Sequence, residues 1–373
     1  MLNDVFLSLN SCEFAFGKRI IFDDISLSIH RDDKTAIVGK NGVGKSTLFN
    51  IISNKINIDS GELWINPKIN IGYLNQREKF KENSIEITLN KTEYPGHAIE
   101  LAKNCNFSEF SSICAVGGDG TLNEVANGLA GTETALAALP GGSTNVFART
   151  IGLPDDPVEA TGSLLDALEA GSTQRIGLGV MNDRYFLFHA GIGFDAAVVE
   201  QVERQGGLLK RFAGHPLFVA ATINTWLRHY NHKRPSFHIS SRGKDIHEIE
   251  PGNDGMFAVC LNTDPYTYLG SREISFSPET TLQTPLTVIT FRSLSPSRLL
   301  PVLASSLGLG NNRVSESPIV DYQVDVSEGS ISGYDAVPWQ VDGDYLGKEK
   351  EFYFRHEPEA LNLVLPLGVR DSY

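Results

Sequence analysis

Hydrophobic and polar positions alternate in the first part of the chain. The alternation runs from Val5 to Leu9 and from Ile25 to Ile29, and an apolar run covers Thr35 to Val38. A period of two is typical of half-buried strands. A helical pattern follows at Ser46–Ser53. The sequence therefore predicts a separate, small α/β unit over residues 1–80.

A repeated order of strand, loop and helix begins after about residue 84. The apolar run Ile113 to Val116 leads through a glycine-rich loop into a helical stretch that ends near Gly131. A second run, Ala135 to Leu139, leads in the same way into a helix that starts near Val146. Repeated units of this kind predict a parallel sheet with its ligand site at the carboxyl ends of the strands. We predict this α/β domain over residues 84–174.

The last half of the chain changes to short strand-like runs separated by turn residues. Examples are Phe257 to Leu261, Leu286 to Phe291 and Phe352 to Phe354. The pattern predicts a β-rich domain over residues 175–350. Residues 351–373 form a C-terminal segment that could return to the α/β domain.

Charge is unevenly distributed along the 373 residues, whose formal net charge is −13. Residues 1–83 carry 11 basic and 10 acidic residues, which leaves 21 basic and 35 acidic residues for the rest. An acidic body argues against nucleic acid as the main partner, because neutralising phosphates needs a basic face. One basic stretch, Arg204 to Arg234, either contacts an anionic membrane surface or forms a core helix with a basic solvent side.

The sequence shows no pattern for a membrane span, a secretory signal, a zinc site or disulfides. Its apolar runs are much shorter than the ~20 residues of a membrane-spanning helix, and the N-terminus lacks the basic and apolar blocks of a secretory signal. Four cysteines show no paired spacing that would predict zinc or disulfides. These features predict a cytoplasmic location without a transmembrane segment.

One complete phosphate-binding motif follows the run Thr35 to Val38. Its loop pattern, GxxxxGK[ST], favours backbone contact with phosphate and side-chain contact with phosphate and magnesium. With its surroundings it resembles the start of an ABC-type ATPase, but the later motifs of that family are missing. We interpret the unit as truncated, and a relic loop without turnover remains an alternative. The resemblance places these residues at the nucleotide: Gly39, Gly42, Gly44, Lys45, Ser46, Thr47 and Gln76.

Two further glycine-rich loops end the strands of the predicted α/β domain. The first is Gly117-Gly118-Asp119-Gly120, and the second is Gly141-Gly142-Ser143-Thr144-Asn145. Glycines let a backbone approach phosphates closely, as phosphoryl transfer requires. The Asp119 carboxylate would be badly placed beside a polyphosphate unless it acted through magnesium or water.

Together with Gln340-Val341-Asp342-Gly343-Asp344, these two loops resemble the diacylglycerol kinase catalytic family, which includes bacterial lipid kinases and sphingosine kinases. The similarity runs from about Ile85 to the end of the chain, and Gly191-Ile192-Gly193-Phe194-Asp195 agrees with it. The resemblance implies an α/β domain followed by a β-sandwich-like domain, with ATP and a lipid meeting between them.

The same resemblance implies site residues and substrates. Asp342 matches the general base, Asp119 a second catalytic residue, and Asp344 a supporting acid where many members have glutamate. An ordinary aspartate-glycine turn is the alternative for Asp342. ATP with magnesium would be the cosubstrate, and the acceptor a lipid at a membrane surface. The implied ATP-binding residues are Thr92, Gly117, Gly118, Gly120, Thr121, Asn123, Glu124, Gly142, Ser143, Thr144 and Asn145.

The sequence departs from the family pattern in two places. The family's first strand, with its NPxSG-like phosphate loop, is missing, and its loss would expose a sheet edge. Leu282-Gln283-Thr284-Pro285 replaces an acidic turn that holds a structural magnesium ion in some members, so no structural metal is expected there. The sequence predicts an ATP-dependent lipid kinase, peripheral at the inner face of the membrane. The alternatives are a non-catalytic nucleotide-binding fusion and an ABC-type ATPase fragment that needs a partner. Neither the lipid nor the oligomeric state can be read, and a homodimer stays open.

Overall fold

The computed structural model describes residues 5–17, 19–31, 33, 35, 37, 44–67, 69, 71, 87–105, 110–204, 224–225, 230, 234–243, 250–310 and 312–368. The chain divides into two compact units, Met1–Leu89 and Asn90–Tyr373. Among the described residues, no helix is long and apolar enough to cross a membrane.

The described residues of the first unit form a three-stranded antiparallel sheet and one helix. Its strands are β1 (Val5–Phe16), β2 (Arg19–His30) and β3 (Ser60–Ile65), in the order β2-β1-β3, and its helix is α1 (Lys45–Ile52). Leu9 on β1 and Ile51 on α1 are buried in one apolar cluster, because both the strand and the helix turn their apolar sides inward. A P-loop-type nucleotide fold is not shown here, since Gly39–Val43 and Gln76 lie outside the described residues.

The second unit opens with the predicted strand, loop and helix order. The helices are α2 (His97–Lys103), α3 (Asp119–Leu129), α4 (Val146–Thr150) and α5 (Pro157–Glu169). Strands β4 (Ser112–Gly117) and β5 (Ala135–Pro140) pair in parallel.

Helix α3 is held by its apolar face. Leu122, Val125 and Leu129, at intervals of three and four residues, are buried in the core of this part. Each fully buried leucine contributes about 1.5–3 kcal/mol relative to an exposed one.

The remainder of the second unit is rich in antiparallel strands. They are β6 (Thr173–Met181), β7 (Arg184–Phe186), β8 (His189–Gly193), β9 (Phe237–Gly243), β10 (Glu250–Gly255), β11 (Phe257–Leu261), β12 (Thr267–Leu269), β13 (Arg272–Ile274), β14 (Leu286–Phe291), β15 (Val320–Val341) and β16 (Asp344–Val364). Its described part also contains helices α6 (Phe194–Arg204) and α7 (Pro296–Ser306) and a short 3-10 helix (Val314–Glu316). Strands β11 and β14 have the predicted bounds.

Strand β16 joins the β-rich part to the parallel strands. Its first half pairs with β15 and its second half with β6, both antiparallel, and Leu363 near its end pairs in parallel with Leu136 of β5. The main path of this 11-stranded sheet is β14-β11-β8-β15-β16-β5-β4. The predicted parallel pairing is present at β4 and β5, but the sheet as a whole is mixed because β16 also pairs antiparallel with β15 and β6. The predicted domain bounds at 174, 350 and 373 stay predictions.

Strand β4 ends this path. Within the described residues no strand pairs with its outer edge, and Val116 is 63% exposed. Ile87 to Leu89, at the start of the region that resembles the kinase family, lie outside any strand. That loss of the family's first strand exposes this edge stays a prediction.

Candidate active site

The two glycine-rich loops of the second unit lie against each other at the carboxyl ends of β4 and β5. The Gly141 N–H donates a hydrogen bond to the Gly117 carbonyl at 2.9 Å. A methyl carbon on Gly142 would lie 2.7 Å from the Cα of Gly118, so only glycine allows this approach. Parallel pairing of β4 with β5 brings the loops together, because parallel strands end at the same edge.

Asp119 links the first loop to the helix that follows the second. Its Oδ2 accepts from the Val146 N–H at 3.0 Å and its Oδ1 from the Phe147 N–H at 2.9 Å. These donors are unpaired first-turn groups of α4. Burial raises the pKa of Asp119, and the two backbone N–H groups oppose that rise. Both carboxylate oxygens thus serve to fix the relative position of the loops.

The second loop is closed by its own asparagine. Asn145 adopts a left-handed backbone with φ of 52°, which asparagine tolerates better than most residues. Its Oδ1 accepts from the Gly142 N–H at 2.7 Å, and its Nδ2 donates to Asp155 at 2.8 Å. Ser143 is left exposed at the tip, and Thr144 is half-buried beside it.

We expect Gly142→Ala to disrupt this loop pair, because the added methyl carbon would meet backbone rather than a flexible side chain. Overpacking of this kind costs about 1–3 kcal/mol. The expected loss of stability is measured as a lower unfolding temperature in a thermal unfolding experiment. Gly162→Ala is the matched control, since a methyl carbon there meets nothing within 4 Å. Equal unfolding temperatures for the two variants would contradict the close approach.

Two of the expected ATP-binding residues point into the protein. Glu124 accepts from the Gly96 N–H at 2.7 Å and the Ala98 N–H at 3.1 Å, so it caps the start of α2. Asn123 is 1% exposed and donates to the Tyr185 carbonyl at 2.8 Å. Glu124 thus fixes the start of α2, and Asn123 fixes the backbone at Tyr185.

Asp342 lies at the turn between β15 and β16, and its carboxylate is buried. Its oxygens accept from four donors: the N–H groups of Leu187, Phe188 and His189 at 2.7, 3.0 and 3.1 Å, and the Asn123 Nδ2 at 2.7 Å. The residue is 3% exposed. Burial raises the pKa of Asp342 to about 7, with the four donors opposing the rise. This aspartate joins the β15–β16 turn to the β7–β8 connection and to α3.

Asp344 stands two residues further on, half-buried, against the start of α3. A methyl carbon on Gly120 would lie 2.6 Å from the Asp344 Oδ2, so this carboxylate lies beside the first glycine-rich loop. Its charge also raises the pKa of Asp119. The structure thus brings Asp119, Asp342 and Asp344 to one end of α3.

The other predicted positions fall into three groups. Thr121 and Gly117 touch, since a methyl carbon on Gly117 would lie 2.7 Å from Thr121. Thr92 is exposed, four residues before Gly96, the residue preceding α2. Of the first-unit motif, Gly44, Lys45 and Thr47 are described at the start of α1, whereas Gly39, Gly42, Gln76 and the Ser46 side chain lie outside the described residues.

Sequence reasoning missed a buried polar group behind the β15–β16 turn. Gln340 donates to Asp195 at 2.8 Å and accepts from the Gly343 N–H at 2.8 Å. The Tyr266 hydroxyl donates to the other oxygen of Asp195, and burial raises the pKa of Asp195. Asp195 and Gln340 lie within the motifs that carry the resemblance, but no local pattern assigned them a role. They fix the turn that carries Asp342 and Asp344.

A family model matches the part of the chain that contains the two glycine-rich loops. Residues 66–181 match the family model described as diacylglycerol kinase catalytic domain. A diacylglycerol kinase of Bacillus subtilis is 38% identical over 31% of this chain and 38% of its own length. A probable lipid kinase YegS-like protein of Chromohalobacter salexigens is 34% identical over 36% of this chain and 43% of its own length. The chain thus spans about two fifths of the length of these curated relatives.

Two solved structures are similar to this chain in fold. Two crystal structures of diacylglycerol kinases from Bacillus anthracis superpose with TM-scores of 0.56 and 0.50 at 19% and 17% identity, each covering 74% of this chain and 84% of the other. At this identity they show a shared fold.

Ribosome protection protein VmlR of Bacillus subtilis is 35% identical over 28% of this chain and 19% of its own length.

Proposed function

We propose that this protein is an ATP-dependent lipid kinase that transfers the γ-phosphate of ATP to a lipid hydroxyl, with diacylglycerol or a sphingoid base as the acceptor. The observation that carries the proposal is the meeting of the loops at Gly117 and Gly142 beside the turn at Asp342–Asp344. Phosphoryl transfer depends on positioning and charge stabilisation, and backbone amides at strand ends and helix starts supply both.

The transfer has a simple balance of bonds. The lipid oxygen forms a bond to the γ-phosphorus while the bond from that phosphorus to the β–γ bridging oxygen breaks. ADP leaves, and the hydroxyl proton passes to a carboxylate. Magnesium enters as part of the nucleotide substrate and offsets the phosphate charge. The protein's own task is to hold the nucleotide phosphates along the two loops and to place a proton acceptor beside the incoming hydroxyl.

Asp342 and Asp344 are the two candidates for the proton acceptor. The resemblance assigns it to Asp342, whose oxygens already accept four hydrogen bonds inside the protein. Asp344 lies beside Gly120 at the loop itself. We propose that Asp342 sets the turn and that Asp344 receives the proton. Asp119, which bridges the loops, acts by positioning them.

A direct test is transfer of labelled γ-phosphate from ATP to diacylglycerol or sphingosine in mixed micelles, with extraction of the lipid product. We expect a labelled phospholipid that requires magnesium. Binding of ATP without labelled lipid across several acceptors would contradict the kinase and favour a non-catalytic nucleotide-binding protein.

A second nucleotide site in the first unit is proposed on separate grounds. The full motif Gly39–Thr47 stands in the sequence, and the start of α1 is described at Lys45 after Gly44, whose φ is 103°. We propose that this unit is a truncated ABC-type segment that binds ATP and needs a partner for hydrolysis. Lys45→Ala should then weaken ATP binding without reducing lipid phosphorylation. Loss of both together would contradict two independent sites.

We propose further that the kinase works in the cytoplasm at the inner face of the membrane, where its lipid resides. A homodimer stays a prediction, and analytical ultracentrifugation of the full chain measures it directly.

A further inference from the structure

Helix α7 of the second unit presents leucines to solvent. Leu300 and Leu303 are 63% and 44% exposed, and Leu309 just beyond the helix is 64% exposed. Leu300 and Leu303 are three residues apart and share one side of the helix. The opposite side packs inward through Val302, which is 2% exposed. We call the side of α7 that carries Leu300 and Leu303 the leucine surface.

The sequence around the leucine surface has a charge unlike the rest of the chain. Residues 280–315 contain three arginines, Arg292, Arg298 and Arg313, and no aspartate, glutamate or lysine, in a chain of net charge −13. Arg298 is exposed on α7 itself, whereas Arg292 pairs with Asp321 at 3.5 Å. An apolar helix side with an exposed arginine and no acidic residue on the same helix complements an anionic lipid layer.

We propose that the leucine surface docks on an anionic bilayer, with α7 lying along the lipid surface, the leucines entering the acyl boundary and Arg298 contacting lipid phosphates. This surface is distinct from the loops at Gly117 and Gly142. It extends the proposed lipid kinase by giving the protein a means of staying at the layer that contains its acceptor.

A second copy of the chain is the competing occupant of this surface. A two-fold contact through α7 would bring Arg298 of each copy towards the same interface, and like charges placed together at an interface are unfavourable. Helix α7 itself carries no acidic residue that could pair with Arg298 of the other copy. Charge complementarity therefore favours an anionic layer.

The test is flotation of the full chain with vesicles of phosphatidylglycerol and phosphatidylcholine, without ATP or a lipid acceptor. The wild type should float with phosphatidylglycerol vesicles and much less with phosphatidylcholine alone. The double variant Leu300→Glu with Leu303→Glu should lose about tenfold or more in vesicle affinity, because two side chains that enter the lipid layer on docking become charged. Arg298→Gln should weaken binding to phosphatidylglycerol vesicles only. Val158→Glu is the matched control, since Val158 on α5 is 80% exposed and lies outside the leucine surface.

Several results would overturn the proposal. One is failure of the wild type to float, and another is equal flotation of the wild type and the double variant. A third is a wild-type dimer in ultracentrifugation that the double variant converts to a monomer while flotation is unchanged. Circular dichroism of each variant confirms folding. Flotation measures membrane binding without catalysis. A negative flotation result would therefore contradict the docking surface but not the kinase activity, which the assay with labelled ATP tests.

Discussion

Replacing Asp342 with alanine is expected to lower the free energy of unfolding by roughly 3 kcal/mol or more, since each buried donor left unpaired costs about 1–3 kcal/mol. The substitution removes the acceptor of three backbone N–H groups and of the Asn123 amide at once. Those donors belong to the β7–β8 connection and to α3, so the loss reaches both parts of the second unit. Urea unfolding followed by fluorescence measures it.

The same carboxyl group predicts a pH dependence of stability. Burial raises the pKa of Asp342 from an ordinary 3.8 to about 7, so between these values the native protein holds a proton that the unfolded chain releases. The free energy of unfolding contributed by this group should therefore fall as pH rises from about 4 to about 7. Asp342→Asn should flatten that fall, because the amide does not titrate.

Asp335→Ala is the control for both measurements, since Asp335 is an exposed aspartate on the same strand, β15. It should change the free energy of unfolding little. If Asp342→Ala unfolds at the same urea concentration as Asp335→Ala, the four hydrogen bonds do not hold the turn.

Replacing Asp344 with asparagine is expected to reduce kcat for lipid phosphorylation by about 100-fold or more, the usual contribution of a positioned general base. The amide keeps the size of the side chain beside Gly120 and removes its ability to take a proton. Stability should change little, because Asp344 is half-buried at a turn. Steady-state rates with labelled ATP at saturating acceptor measure the effect.

Comparison with Asp342→Asn separates the two aspartates. If Asp344 is the proton acceptor, Asp344→Asn lowers kcat in a protein of normal stability, whereas Asp342→Asn lowers stability and activity together. A fully active Asp344→Asn would return the role to Asp342, as the resemblance implies. Asp335→Asn serves as the control of equal charge change.

Local sequence determined much of this fold. The apolar runs of β11 and β14, and the order of strand, glycine-rich loop and helix at α3, are local features of the sequence, so their positions were predicted. The glycines were predicted to let the backbone approach phosphates, and that stays a prediction. The contacts of Gly141 with Gly117 and of Gly142 with Gly118 were not predicted.

Tertiary structure alone decided what the polar side chains of the site do. Asn123 and Asp342 are 219 residues apart and form one hydrogen bond, and no local pattern encodes a pair at such separation. The sequence left Asp119 to act through magnesium or water, whereas in the structure both its oxygens accept hydrogen bonds from backbone N–H groups of α4. Strand β16 likewise changes partners along its length, which makes the sheet mixed. Side-chain periodicity shows which face of an element is buried, while the partner buried against it depends on how distant segments pack.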